Sequence, residues 1–373
     1  MSVSPPDAPA PERVMSIDAL RGFDMFWIVG GHGLAMTLAG AFVDPVPEWL
    51  QYHLSHPPWI GFSAWDLIMP LFLFIVGAAM PYSFARRAED GSTGRQIYAK
   101  MFRRVVILFI LGMAHQGHLL DFDLSTLRIY CNTLHAIAAG YLIAGIVMLH
   151  LLIVGQVVAV AVLLVGYWLI LMFVPFAGHP AGTLEPDANV ALAVDDFVLR
   201  QFSGGSSYTW VLSSMGFGAT TLMGVLSGHL LRSALAPVAK VVWLTLIGLG
   251  CLAGGWIWAE WLGFPIIKHI WTSSMVLWAA GWSILLLALF YALIDVAGFR
   301  RWAFPFIVIG ANAITAYIGA RFIPFKTIAE SLVGGLAALV GNPWGPVLIS
   351  FTTVLLLWLV LYHLCRYKIF LRI

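Results

Sequence analysis

Charged residues are scarce in this sequence. Asp, Glu, Lys and Arg make up 10% of its 373 residues, whereas they make up about a quarter of an ordinary soluble domain. Hydrophobic residues make up 61%, and the mean hydropathy is +0.90. This composition excludes a water-soluble enzyme with one core. It predicts an all-α, polytopic membrane helix bundle. The net charge of +2 says little about partners, and we expect no nucleic-acid partner.

Motifs for metal, disulfide and nucleotide chemistry are also missing. The three cysteines, Cys131, Cys251 and Cys365, have no CxxC spacing, so they indicate neither a metal site nor a disulfide framework. GxxxxGK[ST], HExxH and GxSxG do not occur, and no GxGxxG follows a strand. We therefore expect no bound metal. The start of the chain lacks the order of a cleaved signal peptide, and residues 1–15 are predicted to be a disordered cytoplasmic tail.

Long apolar runs occupy most of residues 16–373, which we interpret as a single transmembrane domain. A span needs about 20 apolar residues, and this window predicts ten, near 22–43, 64–84, 102–119, 133–152, 155–175, 209–231, 241–262, 271–295, 303–322 and 346–364. The stretch 328–341 is short and broken by glycine, so we interpret it as re-entrant or interfacial.

The distribution of the basic residues predicts which side of the membrane each loop faces. If the N-terminus is inside, only Arg128, Arg200, Lys268, Arg321 and Lys326 of the 20 Lys and Arg residues fall outside, and the other fifteen fall inside. Such asymmetry is typical of the positive-inside rule. It predicts that both termini are cytoplasmic.

His32 lies within the first predicted span and is flanked by Gly30, Gly31 and Gly33. It is about ten residues into the span, or roughly 15 Å at 1.5 Å per residue. Ionisable groups at that depth are expensive and mark functional sites by default. The alternative is a neutral histidine that is hydrogen-bonded to a neighbouring helix.

His56 and Asp66 are ten residues apart, with Pro57 and Pro58 between them. The prolines prevent one helix from containing both residues. Asp66 then falls in the first turn of the second span, where a carboxylate also favours the helix dipole. Either Asp66 orients the His56 imidazole for acid–base or nucleophilic chemistry, or the pair is a dipole partner and a loop histidine.

Polar groups at other span ends have ordinary explanations. Asp18 and Arg21 are three residues apart and can pair on one helix face. Arg103 and Arg104 belong to a basic rim that either anchors the helices or, together with its neighbours, binds a phosphate-bearing ligand. Four other polar residues are interpreted as helix-packing groups: His135, Lys268, His269 and Asn312.

Several segments together resemble a known family. "SIDALRGFDMFWIVGGHG", "HPPWIGFSAWDLIMPLFLFIVG", "NTLHAIAAGYLI" and "WAFPFIVIGANAITAY" are similar, in this order, to the transmembrane acyltransferases related to heparan-α-glucosaminide N-acetyltransferase. The resemblance covers about residues 14–322. Its most specific part is the spacing of six residues: His56, Trp59, Gly61, Asp66, Pro70 and Gly77.

This resemblance implies transfer of an acetyl group from cytoplasmic acetyl-CoA to a sugar amine on the outer face. His56 matches the family's catalytic histidine, and Asp66 matches a carboxylate ten residues later. His32 replaces an asparagine beside the reacting groups. Six residues are expected to bind acetyl-CoA, either because they match the family or because they could hold its phosphates or thioester: Asp18, Arg21, Arg103, Arg104, Arg128 and Asn312.

The implied protein is a short, bacterial-type member without the luminal domain, in the cytoplasmic (inner) membrane. Its expected partners are membrane lipids, acetyl-CoA, an extracytoplasmic sugar acceptor and a second copy of the chain. Two other functions fit the pattern of spans. One is a transporter or channel for a sugar or small metabolite, and the other is a non-catalytic assembly protein.

Overall fold

The computed structural model of the protein describes residues 14–203 and 206–370. Within them the backbone forms fifteen α-helices and one short hairpin, so most of the predicted 1–15 tail lies outside the described residues. The helices are α1 Met15–Phe26, α2 His32–Phe42, α3 Glu48–His53, α4 Ile68–Glu89, α5 Gly94–Gln116, α6 Thr133–His150, α7 Ile153–Phe173, α8 Val190–Leu199, α9 Ser214–Arg232, α10 Pro237–Glu260, α11 Ser273–Tyr291, α12 Phe304–Ala311, α13 Ala313–Phe322, α14 Phe325–Val340 and α15 Trp344–Arg366. The hairpin pairs β1 Leu184–Glu185 with β2 Ala188–Asn189 in antiparallel register.

Among the described residues, seven helical segments are long and apolar enough to cross a membrane: Met15–Phe42, Ala64–Glu89, Thr133–His150, Ile153–Phe173, Pro237–Glu260, Ser273–Val296 and Trp344–Arg366. The pair Arg301–Ala311 and Ala313–Phe322, bent by 67°, could form an eighth. The chain is therefore an all-α polytopic membrane protein, as predicted.

The other two predicted spans coincide with α5 and α9. Lys100, Arg103 and Arg104 lower the hydropathy of α5, and glycine, serine and threonine lower that of α9. The total of ten spans therefore stays a prediction.

The segment predicted to be re-entrant or interfacial forms α14, a helix of 16 residues that packs along α15. The Trp344 ring, at the start of α15, is 5.2 Å from that of Phe42, at the end of the first span. Further along α15, Trp358 Nε1 donates to the Pro305 carbonyl at 3.1 Å. The last helix thus returns toward the side of the bundle where α1 begins, because Phe42 lies at the far end of the first span.

The first span is not one regular helix. Residues Trp27–Gly31 between α1 and α2 form a π-helical segment, in which Gly30 has φ 157°. The bent pair α12 and α13 is broken at Asn312. Irregular backbone at membrane depth is tolerated where protein buries it or where it lines a cavity.

The buried centre of the bundle is built on α4 and α9, which cross with their backbones in contact. A Cβ atom added to Gly77 would lie 1.9 Å from the Thr221 carbonyl oxygen, and one added to Gly224 would lie 2.0 Å from that of Phe74. Small residues at such crossings let helices pack closely without a hydrophobic driving force. The glycine at position 77 is therefore a packing requirement of the helix that follows Asp66.

Gly77→Ala is expected to destabilise the protein by about 3 kcal/mol, because the added methyl must displace backbone in a closely packed crossing. The matched control is Gly334→Ala in α14, where an added Cβ meets nothing within 4 Å. Thermal unfolding of the two purified variants in detergent checks this. Equal unfolding temperatures would contradict the packing argument.

Candidate active site at the start of the second span

Two loops that are far apart in sequence meet where the second span begins. Gly61 N–H donates to the Ile266 carbonyl at 2.9 Å, and Ile60 and Ile267 form an isolated antiparallel β-bridge. This backbone pairing places Lys268 beside His56, 212 positions earlier in the chain.

Asp66 lies in the short 3₁₀ turn Ala64–Leu67 that leads into α4. Its Oδ2 accepts from the Ser63 N–H at 3.0 Å, and its own N–H donates to Ser63 Oγ at 3.2 Å. This is a capping box, which satisfies backbone donors that a helix start leaves open. Ser63 Oγ in turn donates to the Ser55 carbonyl at 2.6 Å, so the cap also holds the loop that carries His56.

The other oxygen of the same carboxylate faces His56 and Lys268. Asp66 Oδ1 is 2.6 Å from His56 Nδ1 and 3.0 Å from Lys268 Nζ. The Asp66 and Lys268 side chains are 2% and 8% exposed, whereas that of His56 is 40% exposed. One oxygen of Asp66 therefore caps the start of the helix, and the other holds the His56 ring and the Lys268 ammonium.

The geometry determines the tautomer of His56. Nδ1 lies 3.3 Å from Lys268 Nζ, but an ammonium and a protonated ring nitrogen are both donors. Both therefore donate to Asp66, and the lone pair of His56 is left on Nε2. A half-exposed imidazole with a free Nε2 and an oriented Nδ1 is arranged as a base or a nucleophile.

Burial lowers the pKa of the Lys268 ammonium, and the Asp66 carboxylate opposes that shift. A buried charge is tolerated when it is paired and hydrogen-bonded, so Asp66 is the counterion that Lys268 needs. Neither loop by itself indicates that Lys268 belongs to this site, because its role depends on the pairing of the two loops.

His32 lies next to this group but is already engaged. Its Nε2 is 2.7 Å from the Leu54 carbonyl oxygen, so that nitrogen donates the hydrogen bond. The Trp65 ring is 4.2 Å from that of His32 and 6.3 Å from that of His56. The Trp65 ring is thus a neighbour of both histidines that the sequence indicates as functional candidates.

Aromatic rings surround His269, the residue after Lys268. Its ring lies 5.2 Å from that of Trp59 and 4.2 Å from that of Tyr208. Burial, with a smaller effect from the Lys268 charge, lowers the pKa of His269 to about 4. His269 is therefore neutral near pH 7.

The other predicted residues lie elsewhere. Asp18 Oδ1 accepts a hydrogen bond from Arg21 at 3.2 Å. The Arg104 guanidinium lies 4.5 Å from the centre of the Tyr141 ring. Arg103 is exposed. Arg128 is in the loop after α5, whereas Arg103 and Arg104 lie in the middle of that helix.

Asn312 is buried at the bend between α12 and α13, and neither polar atom of its side chain has a partner among the described residues. Among the residues 14–203 and 206–370, no group of three or more His, Cys, Asp or Glu side chains could hold a metal ion.

Two comparisons with known proteins match the same enzyme. The family model for the catalytic region of heparan-alpha-glucosaminide N-acetyltransferase matches residues 13–194. The heparan-alpha-glucosaminide N-acetyltransferase of Homo sapiens is 22% identical over 378 aligned residues, which cover 85% of this chain and 54% of the relative. The chain thus spans about half the length of the curated relative it matches.

The helices and the residues at the start of the second span make this chain a polytopic membrane protein with an enzyme-like constellation. More particularly, residues 13–194 are similar to the catalytic region of heparan-alpha-glucosaminide N-acetyltransferase, and the similarity to the human enzyme extends over most of the chain.

Asp66→Asn is expected to lower the free energy of unfolding by about 3 kcal/mol, because it leaves the Lys268 ammonium buried without a counterion. Asp66→Asn combined with Lys268→Met should recover much of that loss. Thermal unfolding of both single variants and the double variant measures the coupling. A double variant that is no more stable than Asp66→Asn would contradict the pairing.

Acid should destabilise the fold partly through His269. Its folded-state pKa, about 4, is lower than the ordinary 6.5, so between these values the unfolded chain binds a proton that the folded chain does not. The contribution is fully present above about pH 6.5 and is lost as the pH falls toward 4. In unfolding measurements from pH 7.5 to 4.5, His269→Asn should reduce the pH dependence, whereas His179→Asn, at an exposed loop position, should leave it unchanged. An unaltered profile for His269→Asn would refute this assignment.

Proposed function

We propose that this protein is a transmembrane acyltransferase. It moves an acetyl group from cytoplasmic acetyl-CoA to an amine or hydroxyl of a glucosamine-like sugar on the extracytoplasmic face. The observation that carries this proposal is the geometry of His56: its Nδ1 is hydrogen-bonded to a buried carboxylate that Lys268 also contacts, and its Nε2 has no hydrogen-bond partner among the described residues. The family relationship supports the same class of reaction.

In this reaction His56 Nε2 accepts the proton of the acceptor N–H or O–H group as the acceptor atom attacks the thioester carbonyl carbon. The carbon–sulfur bond breaks, and the proton passes from the imidazolium to the departing sulfur. Alternatively, Nε2 attacks the carbonyl carbon, the carbon–sulfur bond breaks and the CoA thiolate leaves, and the acceptor then attacks the acetyl-imidazole, gives up its proton and releases His56. In both versions Asp66 holds the tautomer and stabilises the positive charge that develops on the ring.

The end of the bundle where α1 begins offers a place for the phosphates of the donor. A cavity of about 820 Å³ lies there, and Arg232, Lys240 and Arg300 line it together with Asp18 and Asp295. Arg21, Arg103 and Arg104 are on the same side. Guanidinium groups bind phosphate through paired hydrogen bonds.

The pantetheine arm passes His32 in this proposal, and Asn312 donates to the thioester oxygen; His32 is a second donor only when both of its ring nitrogens carry a proton, because its Nε2–H already bonds to the Leu54 carbonyl. Asn312 has the freer donor, because the described residues leave its amide without a partner. Arg128 is retained as a donor-binding residue on the family resemblance alone, since it lies in the loop after α5.

The proposed orientation follows the basic residues. The side where α1 begins is cytoplasmic, ten helical passes cross the membrane, and both termini are cytoplasmic. The protein resides in a bacterial inner membrane in contact with lipids, and it acts as a homodimer, as the family resemblance implies.

A transporter or channel for a sugar or small metabolite is the second candidate. The observation that favours it is the pair of interrupted helices, one at Trp27–Gly31 and one bent by 67° at Asn312. Discontinuous helices near the bilayer midplane often form substrate sites in transporters.

Acetyl transfer is tested with purified protein in nanodiscs, labelled acetyl-CoA and a screen of amino sugars. Wild type should release CoA and label an acceptor, and His56→Ala should lower kcat/KM by about 100-fold or more, the usual contribution of a general base. His179→Gln, an exposed histidine on a loop, should retain full activity.

The proposal fails if wild type neither binds acetyl-CoA nor releases CoA, or if His56→Ala transfers acetyl groups as fast as wild type. Solute counterflow by the same protein in proteoliposomes would then favour transport.

A further inference from the structure

Asp24 in α1 is a buried carboxyl group that the proposed reaction does not use. It is 0% exposed, and neither of its side-chain oxygens has a hydrogen-bond partner among the described residues. Buried polar groups are normally hydrogen-bonded, and buried charges are normally paired. A carboxyl group with neither kind of partner requires an explanation.

The explanation lies in a cavity of about 230 Å³ beside Asp24. Its wall combines three parts of the fold: α1 with the following Trp27, the segment from His53 to Leu71, and α11. Besides Asp24, it is lined by Phe23, Trp27, His53, Leu54, Ala64, Trp65, Leu67, Ile68, Leu71 and Leu286. His53 and Ala64 are exposed, so they mark the mouth, and Asp24 lies at the buried part.

The described wall contains no lysine or arginine, and His53 is its only titratable side chain besides Asp24. The Nδ1 atom of His53 accepts from the Ala64 N–H at 3.3 Å. An ionised Asp24 would therefore be uncompensated when the cavity is empty, so the carboxyl group then retains its proton. A ligand that brings a positive charge would replace that proton and satisfy both oxygens.

The rest of the wall determines what else the ligand must be. It is made mainly of leucine, isoleucine and aromatic side chains, among them Trp27 and Trp65, and indole is the aromatic group that interacts best with a cation. A free sugar would leave several hydroxyl groups unpaired against such walls, which is costly. Pockets for drug-sized ligands measure about 300–1,000 Å³, so this smaller cavity suits a small molecule with an apolar body.

We propose that this cavity is a binding site for a small organic ammonium compound, with Asp24 as the counterion of its ammonium group. The site is separate from the acetyl-transfer centre but adjacent to it, because Trp65 lines the cavity and also lies against His32. The proposal does not depend on acetyl transfer. Its binding test needs no acetyl-CoA.

Benzylammonium is a suitable probe, with benzyl alcohol as its uncharged counterpart. Isothermal titration of wild type in nanodiscs, corrected with empty nanodiscs, should show saturable binding of benzylamine at least tenfold tighter than that of benzyl alcohol. Titrations in two buffers of different ionisation enthalpy should show proton release, because Asp24 loses its proton as the ammonium group binds.

Asp24→Asn keeps the shape of the side chain but cannot become a counterion, so it should weaken benzylamine binding at least tenfold and abolish the proton release. Glu48→Gln, which removes an exposed carboxylate from α3, is the matched control and should bind as wild type does. Asp24→Asn should unfold at or above the wild-type temperature, which separates lost binding from lost folding.

Three results would overturn the proposal. They are the absence of saturable binding to folded wild type, equal affinity for benzylamine and benzyl alcohol, and a folded Asp24→Asn protein that binds benzylamine as wild type does.

Discussion

The candidate site depends on one buried carboxylate. The two oxygens of Asp66 have different partners, since one caps the start of the second span through Ser63 and the other receives Lys268 and His56. Because the pair with Lys268 is almost fully buried, neither charge can be removed alone without leaving the other unpaired. The same carboxylate therefore orients the His56 ring and stabilises the start of the second span.

The two ends of the bundle differ in a way that suits a two-substrate reaction. One end carries most of the basic residues and a large cavity lined by Arg232, Lys240 and Arg300. The other end carries a histidine base within an apolar and aromatic surround. Between them the helices are interrupted at Gly30 and Asn312, where a thin, flexible chain could pass between regular helices. The proposal of transfer across the membrane rests on the two ends together, because neither end alone suggests it.

Much of this arrangement was predictable from the sequence, because apolar length and helix-entry chemistry are local properties. The spans, the turn before the second span and the His56–Asp66 pair all follow from residues that are close together along the chain. Lys268 and His135 were both interpreted as packing groups. That is correct for His135, whose ring nitrogens both bond to backbone atoms. It is incomplete for Lys268, because the bridge between Ile60 and Ile267 has no signature in either segment alone. The sequence also does not predict that Asp24 lacks hydrogen-bond partners, because this depends on side chains from distant parts of the chain.

That bridge has a consequence for how the protein is made. The carboxylate and the histidine leave the ribosome about 200 residues before the lysine that completes their site. Until Lys268 has been synthesised, Asp66 must therefore face water or lipid headgroups, because burial of its charge without a cation is unfavourable. The site is complete only when the loop before α11 has been synthesised and has paired with the loop before α4. The reactive centre is thus a late product of assembly, and a partly inserted chain cannot contain it.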